Sequence, residues 1–482
     1  MPFAESTPSG RLRLAYVSPL PPDRSGIADY SADLLPALAA AAEVSVYPEG
    51  EAPPAVNLGD IAGLRPLAAL PEDVAAGRVD RVIYQLGNSA ASHSRTFALL
   101  HRLPGVVVLH EYLLHHLVRE LTVAQGDRAR YFEELRYCAG STGERAARSL
   151  VEHGQEPRPW SFPLFERVVD ASEAVLVHSE FARRRILQSR PLARVGVVPM
   201  PCALPVGGSD RLAARRRLGL PPEVPLVASF GFVTPQKHLE PAIAAFVRFR
   251  REVPEARYWI VGEVSPYYDL AGVIARIAGP GESGITVTGR VELDTLHDAM
   301  AACDVALNLR HPTGGESSAT LVRLLALGRA VVVTDAGSFA ELPAGSVVFV
   351  AVDEQEEEHL LAILRRLFAD PSLRHALERN AVRLAEREHR PAAAAQRYLE
   401  ALGRFPPRAP SPVVPPLAPT APGAMEVRLL GELAAELADL GLGEDDEPLL
   451  VELARAFVGL DLDRAAKRRD VSPAAERGEV VR

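Results

Sequence analysis

Four short segments hold residue types that can bind or move charge. Pro19 to Tyr30 places Gly26 between an apolar run and a helical pattern; glycine at such a turn lets backbone N–H groups and the positive helix terminus come close to an anion or a sugar. His110 and Glu111 end another apolar run, where an imidazole meets a ligand hydroxyl or phosphate oxygen. Lys237 follows the glycine turn at Gly231 and precedes a helical pattern, a position for neutralising phosphate. The richest segment, Asn308 to Ser318, contains Arg310, Gly314, Gly315, Glu316, Ser317 and Ser318, and Arg323 follows on the next helical pattern. It offers N–H donors, a carboxylate for hydroxyls and two hydroxyl side chains.

Arginine outnumbers lysine 51 to 2, with Lys467 the other lysine, so a lysine at a glycine turn stands out. His115 and His116 are adjacent and project in different directions on a helix, whereas ligation from one face needs i, i+4 spacing. No metal site is expected there. Three widely spaced cysteines, Cys138, Cys202 and Cys303, form no CxxC pair, against a zinc site or a disulfide framework.

The elements that must carry these residues show in the pattern. Apolar, β-branched runs occur at 14–18, 44–47, 82–86, 106–110, 174–178 and 195–198, and again at 226–231, 258–262, 285–289, 305–307, 330–334 and 347–350. Runs of this kind, alternating with amphipathic helical segments, predict buried parallel strands in an α/β fold with two doubly wound, Rossmann-like domains. The 482 residues suit such a multidomain chain. Ligands of doubly wound sheets sit outside the carboxyl ends of the strands, so two such domains create a cleft between them.

The expected boundaries are an N-terminal domain at 1–203, a second at 204–390, a closing helix at 391–404, a Pro-rich linker at 405–423 and a helical appendix at 424–482. Eight prolines lie between Phe405 and Pro422, which suits a stiff, extended spacer. From Met425 to Arg482 there are 14 acidic and 8 basic residues. Its apolar helix faces predict docking on the body, self-association or a protein partner. The net charge of −9 argues against a broad nucleic-acid face. No stretch approaches 18 uncharged apolar residues and the start lacks the order of a signal peptide, so a cytoplasmic location is expected. Arginines 183–185, 190, 194 and 215–217 suggest at most peripheral contact with anionic lipid at the inner face of the plasma membrane.

The segments VSPLPPDRSGIADYS, VLHEYLLHHL, AVLVHSEFARRRI, FGFVTPQKHLEPAIAAF and TGRVELDTLHDAMAACDVALNLRHPTGGESSATLVRLLALGRAVVVTDAGSFAELP together resemble, over residues 11 to 403, the family-4 glycosyltransferases of the GT-B fold. The resemblance implies retaining transfer of a sugar from a nucleotide-diphosphate donor held mainly by the second domain. The acceptor, a glycan or lipid-linked hydroxyl of the kind met in bacterial polysaccharide or glycolipid synthesis, is held mainly by the first. It implies no cofactor and no essential metal.

By position, the resemblance puts Gly26 near the donor phosphates, His110 near the transferred sugar, Lys237 on the diphosphate and Glu316 on the sugar hydroxyls. The reading has His110, Lys237 and Glu316 as catalytic. Gly26, Gly231, Arg290, Arg310, Gly315, Ser317, Ser318 and Arg323 bind the donor, and Asn88 and Glu111 stand on the acceptor side. Two departures mark this chain. Phe232 replaces the arginine that often precedes the lysine, so Arg310 or Arg323 is expected to supply that charge. The family's second glutamate is missing, its place taken by Leu324 counted from Glu316 or by Arg323 counted back from Gly328. A catalytically silent GT-B protein that binds a nucleotide or glycan as a regulatory or assembly module is the alternative. A nicotinamide oxidoreductase lacks its GxGxxG turn here.

Overall fold

The computed structural model describes residues 11–55, 57–203, 210–279 and 283–407. The appendix, Lys467 and most of the Pro-rich linker lie outside the described residues. Among the described residues the two compact units are 11–117 with 165–407, and 118–164.

The first unit contains two parallel sheets. In the first, β1 (Arg13–Ser18), β2 (Glu43–Pro48), β3 (Gly63–Leu64), β4 (Arg81–Leu86), β5 (Val106–Leu109), β6 (Ala174–Val177) and β7 (Val195–Val197) lie in the order β3-β2-β1-β4-β5-β6-β7. In the second, β8 (Leu226–Phe230), β9 (Arg257–Val261), β10 (Ile285–Gly289), β11 (Val305–Asn308), β12 (Ala330–Thr334) and β13 (Val348–Val350) lie in the order β10-β9-β8-β11-β12-β13. The twelve apolar runs read from the sequence are all strands; the added one, β3, is two residues long and too short to leave a pattern. Tyr16, Val17, Ile83 and Val107 of the first sheet and Val227, Ala306, Val331 and Val333 of the second are fully buried. Coverage on both faces accounts for their unbroken apolar character.

Strand order reverses between β1 and β4 in one sheet and between β8 and β11 in the other. Crevices form at the carboxyl ends of strands at such switch points. The loops leaving β1 and β4 carry Gly26 and Asn88, and those leaving β8 and β11 carry Lys237 and Glu316.

The closing helix runs from Pro391 to Arg404 and packs against the helix Gly26–Ala41 of the first sheet. Tyr398 Oη hydrogen-bonds Tyr30 Oη, and Arg81 Nη1 donates to the Leu402 carbonyl at 3.1 Å. The chain therefore ends its second sheet and returns to the first.

Several of the clustered arginines have partners within the protein. Arg183 pairs with Glu180, Arg184 with Glu341, Arg190 with Asp170 and Arg217 with Asp298. Arg194 lies over the Phe405 ring. Arg215, on the helix Arg211–Arg217, is buried with its Nη2 2.7 Å from Asp304 Oδ2. Intramolecular acids thus pair with several of these arginines, of which Arg183, Arg184 and Arg217 stay well exposed. Among the described residues no helix is long and apolar enough to cross a membrane.

Residues 118–164 are mostly one helical stretch, Arg128–His153, started by Asp127 accepting the Arg130 N–H and broken at Ala139 and Gly140. Arg119 and Glu156 form an ion pair at 3.0 Å.

Candidate active site

The loop after β8 folds back tightly. Gly231 has φ +95°, in the region that favours glycine, and a Cβ there would lie 3.3 Å from Lys237 Nζ. Lys237 sits in a short 3-10 turn, Pro235–Lys237, just ahead of the helix Leu239–Glu252. Its buried Nζ donates to the Phe230 carbonyl at 2.8 Å. Burial lowers its pKa well below the usual lysine range; Arg310 pushes the same way and Glu316 opposes. An ammonium in this setting gains when an anion joins it.

After β11, Glu316 closes its own loop. Its Oε2 accepts from Gly314 N at 2.7 Å and Thr313 Oγ1 at 3.1 Å, and its Oε1 lies 2.9 Å from Arg310 Nε. Ser318 Oγ caps the helix Ala319–Ala326 by accepting from Leu321 N at 3.2 Å, and donates to Asn308 Oδ1 at 3.1 Å. Its hydroxyl is thus committed to the fold, while Ser317 leads into the helix mouth partly exposed. Gly315 has φ +76°, and a Cβ there would fall 2.4 Å from the Tyr112 ring.

Tyr112 is one residue that sequence reasoning missed. Its N–H donates to the Gly314 carbonyl at 3.2 Å, so the loop after β5 meets the loop after β11 directly. The Arg185 guanidinium covers its ring at 5.7 Å. The only sequence signal was its place two residues after His110.

His110 is embedded in aromatic rings. Tyr30 meets it edge-on at 4.6 Å and His178 lies 5.0 Å away, while Nε2 is 2.8 Å from Gln85 Oε1. Among the described residues its Nδ1 has no hydrogen-bond partner. Burial, reinforced by the neighbouring His178, keeps its pKa well below the histidine range, so the ring is neutral and Nδ1 accepts. Gln85, buried inside β4, left no signal because it reads as one polar residue in a core strand.

Glu111 faces the second-sheet loop. Burial and then the charge of Glu316 push its carboxyl up to about 8, opposed by Arg310 and by the Asn88 backbone N–H. Asn88 Oδ1 accepts from Leu117 N at 2.9 Å, so this side chain braces the loop. Around one point the structure thus gathers Lys237, Arg310 and Glu316 from the second sheet with Glu111 from the first.

Other expected positions fall elsewhere. Gly26 opens its helix, capped by Ser25, and no protein atom lies within 4 Å of where its Cβ would be; packing does not demand glycine there. Arg323 does not join Lys237. It is buried and points to Asp33 on the helix Gly26–Ala41, Nη2 to Oδ2 3.5 Å. Arg310, not Arg323, is the guanidinium beside Lys237, whereas Phe232 is 53 % exposed. Arg290 follows β10 and acts on Asp29 of the same first-sheet helix. His115 is buried and His116 exposed; among the described residues no group of three His, Cys, Asp or Glu side chains is placed to hold a metal ion.

The family described as Glycosyl transferases group 1 matches residues 224–370. No curated protein matches the chain. Solved structures similar in fold include the sucrose-phosphate synthase of Thermosynechococcus elongatus (16 % identity, TM-score 0.57, covering 82 % of this chain and 99 % of that one). Anabaena HepE in complex with UDP-glucose is another (17 % identity, TM-score 0.53, 82 % and 100 % covered). A third is WaaG, a glycosyltransferase involved in lipopolysaccharide biosynthesis (16 % identity, TM-score 0.51, 80 % and 98 % covered). Two parallel Rossmann-like sheets with these likenesses are the GT-B fold, and with a group 1 glycosyl transferase domain in its second half the chain is a glycosyltransferase.

Proposed function

We propose that the chain is a retaining, family-4 type glycosyltransferase. It moves a sugar from a nucleoside diphosphate to an acceptor hydroxyl on a glycan or lipid-linked glycan of bacterial surface synthesis, at the cytoplasmic side. The observation that carries this reading is the meeting of Lys237, Arg310, Glu316 and Glu111 at the carboxyl ends of the central strands.

Breaking a sugar–phosphate bond builds negative charge on the leaving diphosphate. Preorganised cations and N–H donors aimed at that charge lower the barrier. Lys237 Nζ and Arg310 supply the cations, and the mouth of the helix Ala319–Ala326 supplies N–H groups. Glu316 accepts from hydroxyls of the transferred sugar, exchanging part of its bonding to Gly314 and Thr313. His110 Nδ1 accepts from another hydroxyl of that sugar.

Covalent catalysis needs an ionised carboxylate against the anomeric carbon. Glu111, with its pKa near 8, is mostly protonated at neutral pH and unsuited to that role. Retention then follows if the incoming hydroxyl attacks from the face the diphosphate leaves and passes its proton to a phosphate oxygen. No step is assigned to a metal.

A second reading, a silent GT-B module that holds a nucleotide without transfer, is favoured by one observation: no carboxylate stands where the resemblance has its second glutamate, whether that place is counted to Leu324 or to Arg323. Incubating the purified chain with UDP-, GDP- and ADP-glucose and following nucleoside diphosphate release separates the two. Release that depends on Lys237 supports transfer; binding without release supports the silent module.

A further inference from the structure

A second polar cluster lies on the cleft side of the first-sheet helix and takes no part in the chemistry above. Gly26, Asp29 and Asp33 follow one another at i, i+3 and i+7 on the helix Gly26–Ala41, so they share a face. The adjoining face buries Tyr30, Leu34 and Leu38 in the core. From the second sheet, Arg323 reaches Asp33 at 3.5 Å, and Arg290 acts on Asp29. His297, on the helix Leu293–Ala302, faces Arg323, and its buried Nε2 has no hydrogen-bond partner.

The place of this cluster fixes what it can meet. Arg323 lies five residues past Ser318, about 7.5 Å along the helix from the mouth assigned to the diphosphate. A nucleoside diphosphate that puts its sugar and phosphates at Glu316 and Lys237 must extend its nucleoside part to one side. Two arginines and two aspartates balance one another here, so a further phosphate has no net cation to find. Neutral hydroxyls do fit: a carboxylate accepts from a diol, and the orphaned imidazole nitrogen needs one more partner. Asp33 is also held in place, since its carboxyl accepts a backbone N–H from Ala203 as well as pairing with Arg323.

We propose that Asp33 is the carboxylate that reads the ribose hydroxyls of the donor, with Arg323 positioning it across the cleft. This rests on the nucleotide-sugar reading of the site, and makes ribose selection a property of the first sheet.

The test compares UDP, GDP and ADP with their 2′-deoxy counterparts by titration calorimetry on the full chain at pH 8, where Asp33, whose pKa is about 6, is ionised. The wild type should bind its best nucleotide about tenfold tighter than the 2′-deoxy form, about 1.4 kcal/mol. Asp33→Ala should bring the two within about twofold, and the near-isosteric Asp33→Asn should reduce the preference if the alanine variant fails to fold. A folded variant that keeps the full preference, or a wild type that shows none, overturns the assignment of Asp33 alone. A wild type that binds none of the three nucleotides overturns the donor reading beneath it.

Discussion

The backbone N–H of Tyr112, three residues beyond β5, donates to the carbonyl of Gly314, beyond β11, at 3.2 Å. This bond ties the loop that follows His110 to the loop that presents Glu316, and the Tyr112 ring lies where a side chain on Gly315 would begin. Gly315→Ala therefore adds backbone strain at φ +76° and a collision with the ring. A residue forced into this region costs about 1 to 3 kcal/mol. A lower melting temperature and reduced turnover are expected, with Tyr112→Ala in the same chain recovering part of the stability. Additive losses in the double variant would show that the two residues do not meet.

Lys237→Ala should lower turnover about 100-fold, the scale on which one preorganised electrostatic group acts on a transition state. The fold should survive, because burying an ammonium costs free energy that alanine does not incur. Steady-state kinetics with thermal melts check both halves. Wild-type turnover removes Lys237 from the leaving-group site.

Much of this arrangement was legible in the sequence, and the exceptions have physical reasons. Twelve strands announced themselves because strands buried on both faces must be apolar throughout. That Lys237, Arg310 and Glu316 lie near one another could be anticipated, because all three follow strands at the carboxyl edge of one sheet. Tyr112 and Gln85 were not legible, since an aromatic after a strand and an amide within one look like core. The pairing of Arg323 with Asp33 joins residues 290 positions apart, and no local pattern reports that. The partners of the clustered arginines were illegible for the same reason: Glu341, Asp170, Asp298 and Asp304 are distant in sequence and adjacent in space.

Glu111 predicts a pH dependence. Its folded pKa, about 8, stands above the ordinary 4.5, so the folded state binds this proton more tightly than the unfolded chain does. The stability it contributes is complete below the ordinary glutamate range and is lost as pH rises through 8. Ionisation there also adds a negative charge beside Glu316 and the leaving diphosphate, so turnover should fall above pH 8. Glu111→Gln, neutral throughout, should flatten that limb in both a pH–rate profile and denaturant titrations at pH 5 and pH 9. An unchanged basic limb in the variant assigns it to another group.

Tyr398→Phe removes the hydroxyl that the closing helix offers to Tyr30 behind His110. A buried hydrogen bond of this kind contributes about 1 kcal/mol. Chemical denaturation should show a loss of that order or somewhat more, as Tyr30 is left without its partner. No change would mean that the Tyr398 hydroxyl contributes nothing to holding the closing helix.

The most direct test of sugar transfer with retention is the configuration of the first sugar released when water acts as the acceptor. UDP-, GDP- and ADP-glucose, all α-linked donors, are each incubated with the full chain. The anomeric proton is followed by NMR before mutarotation. Release of α-glucose from at least one donor, about 100-fold slower in Lys237→Ala, is the predicted result. First release of β-glucose, or no release from any donor in the panel, would contradict it.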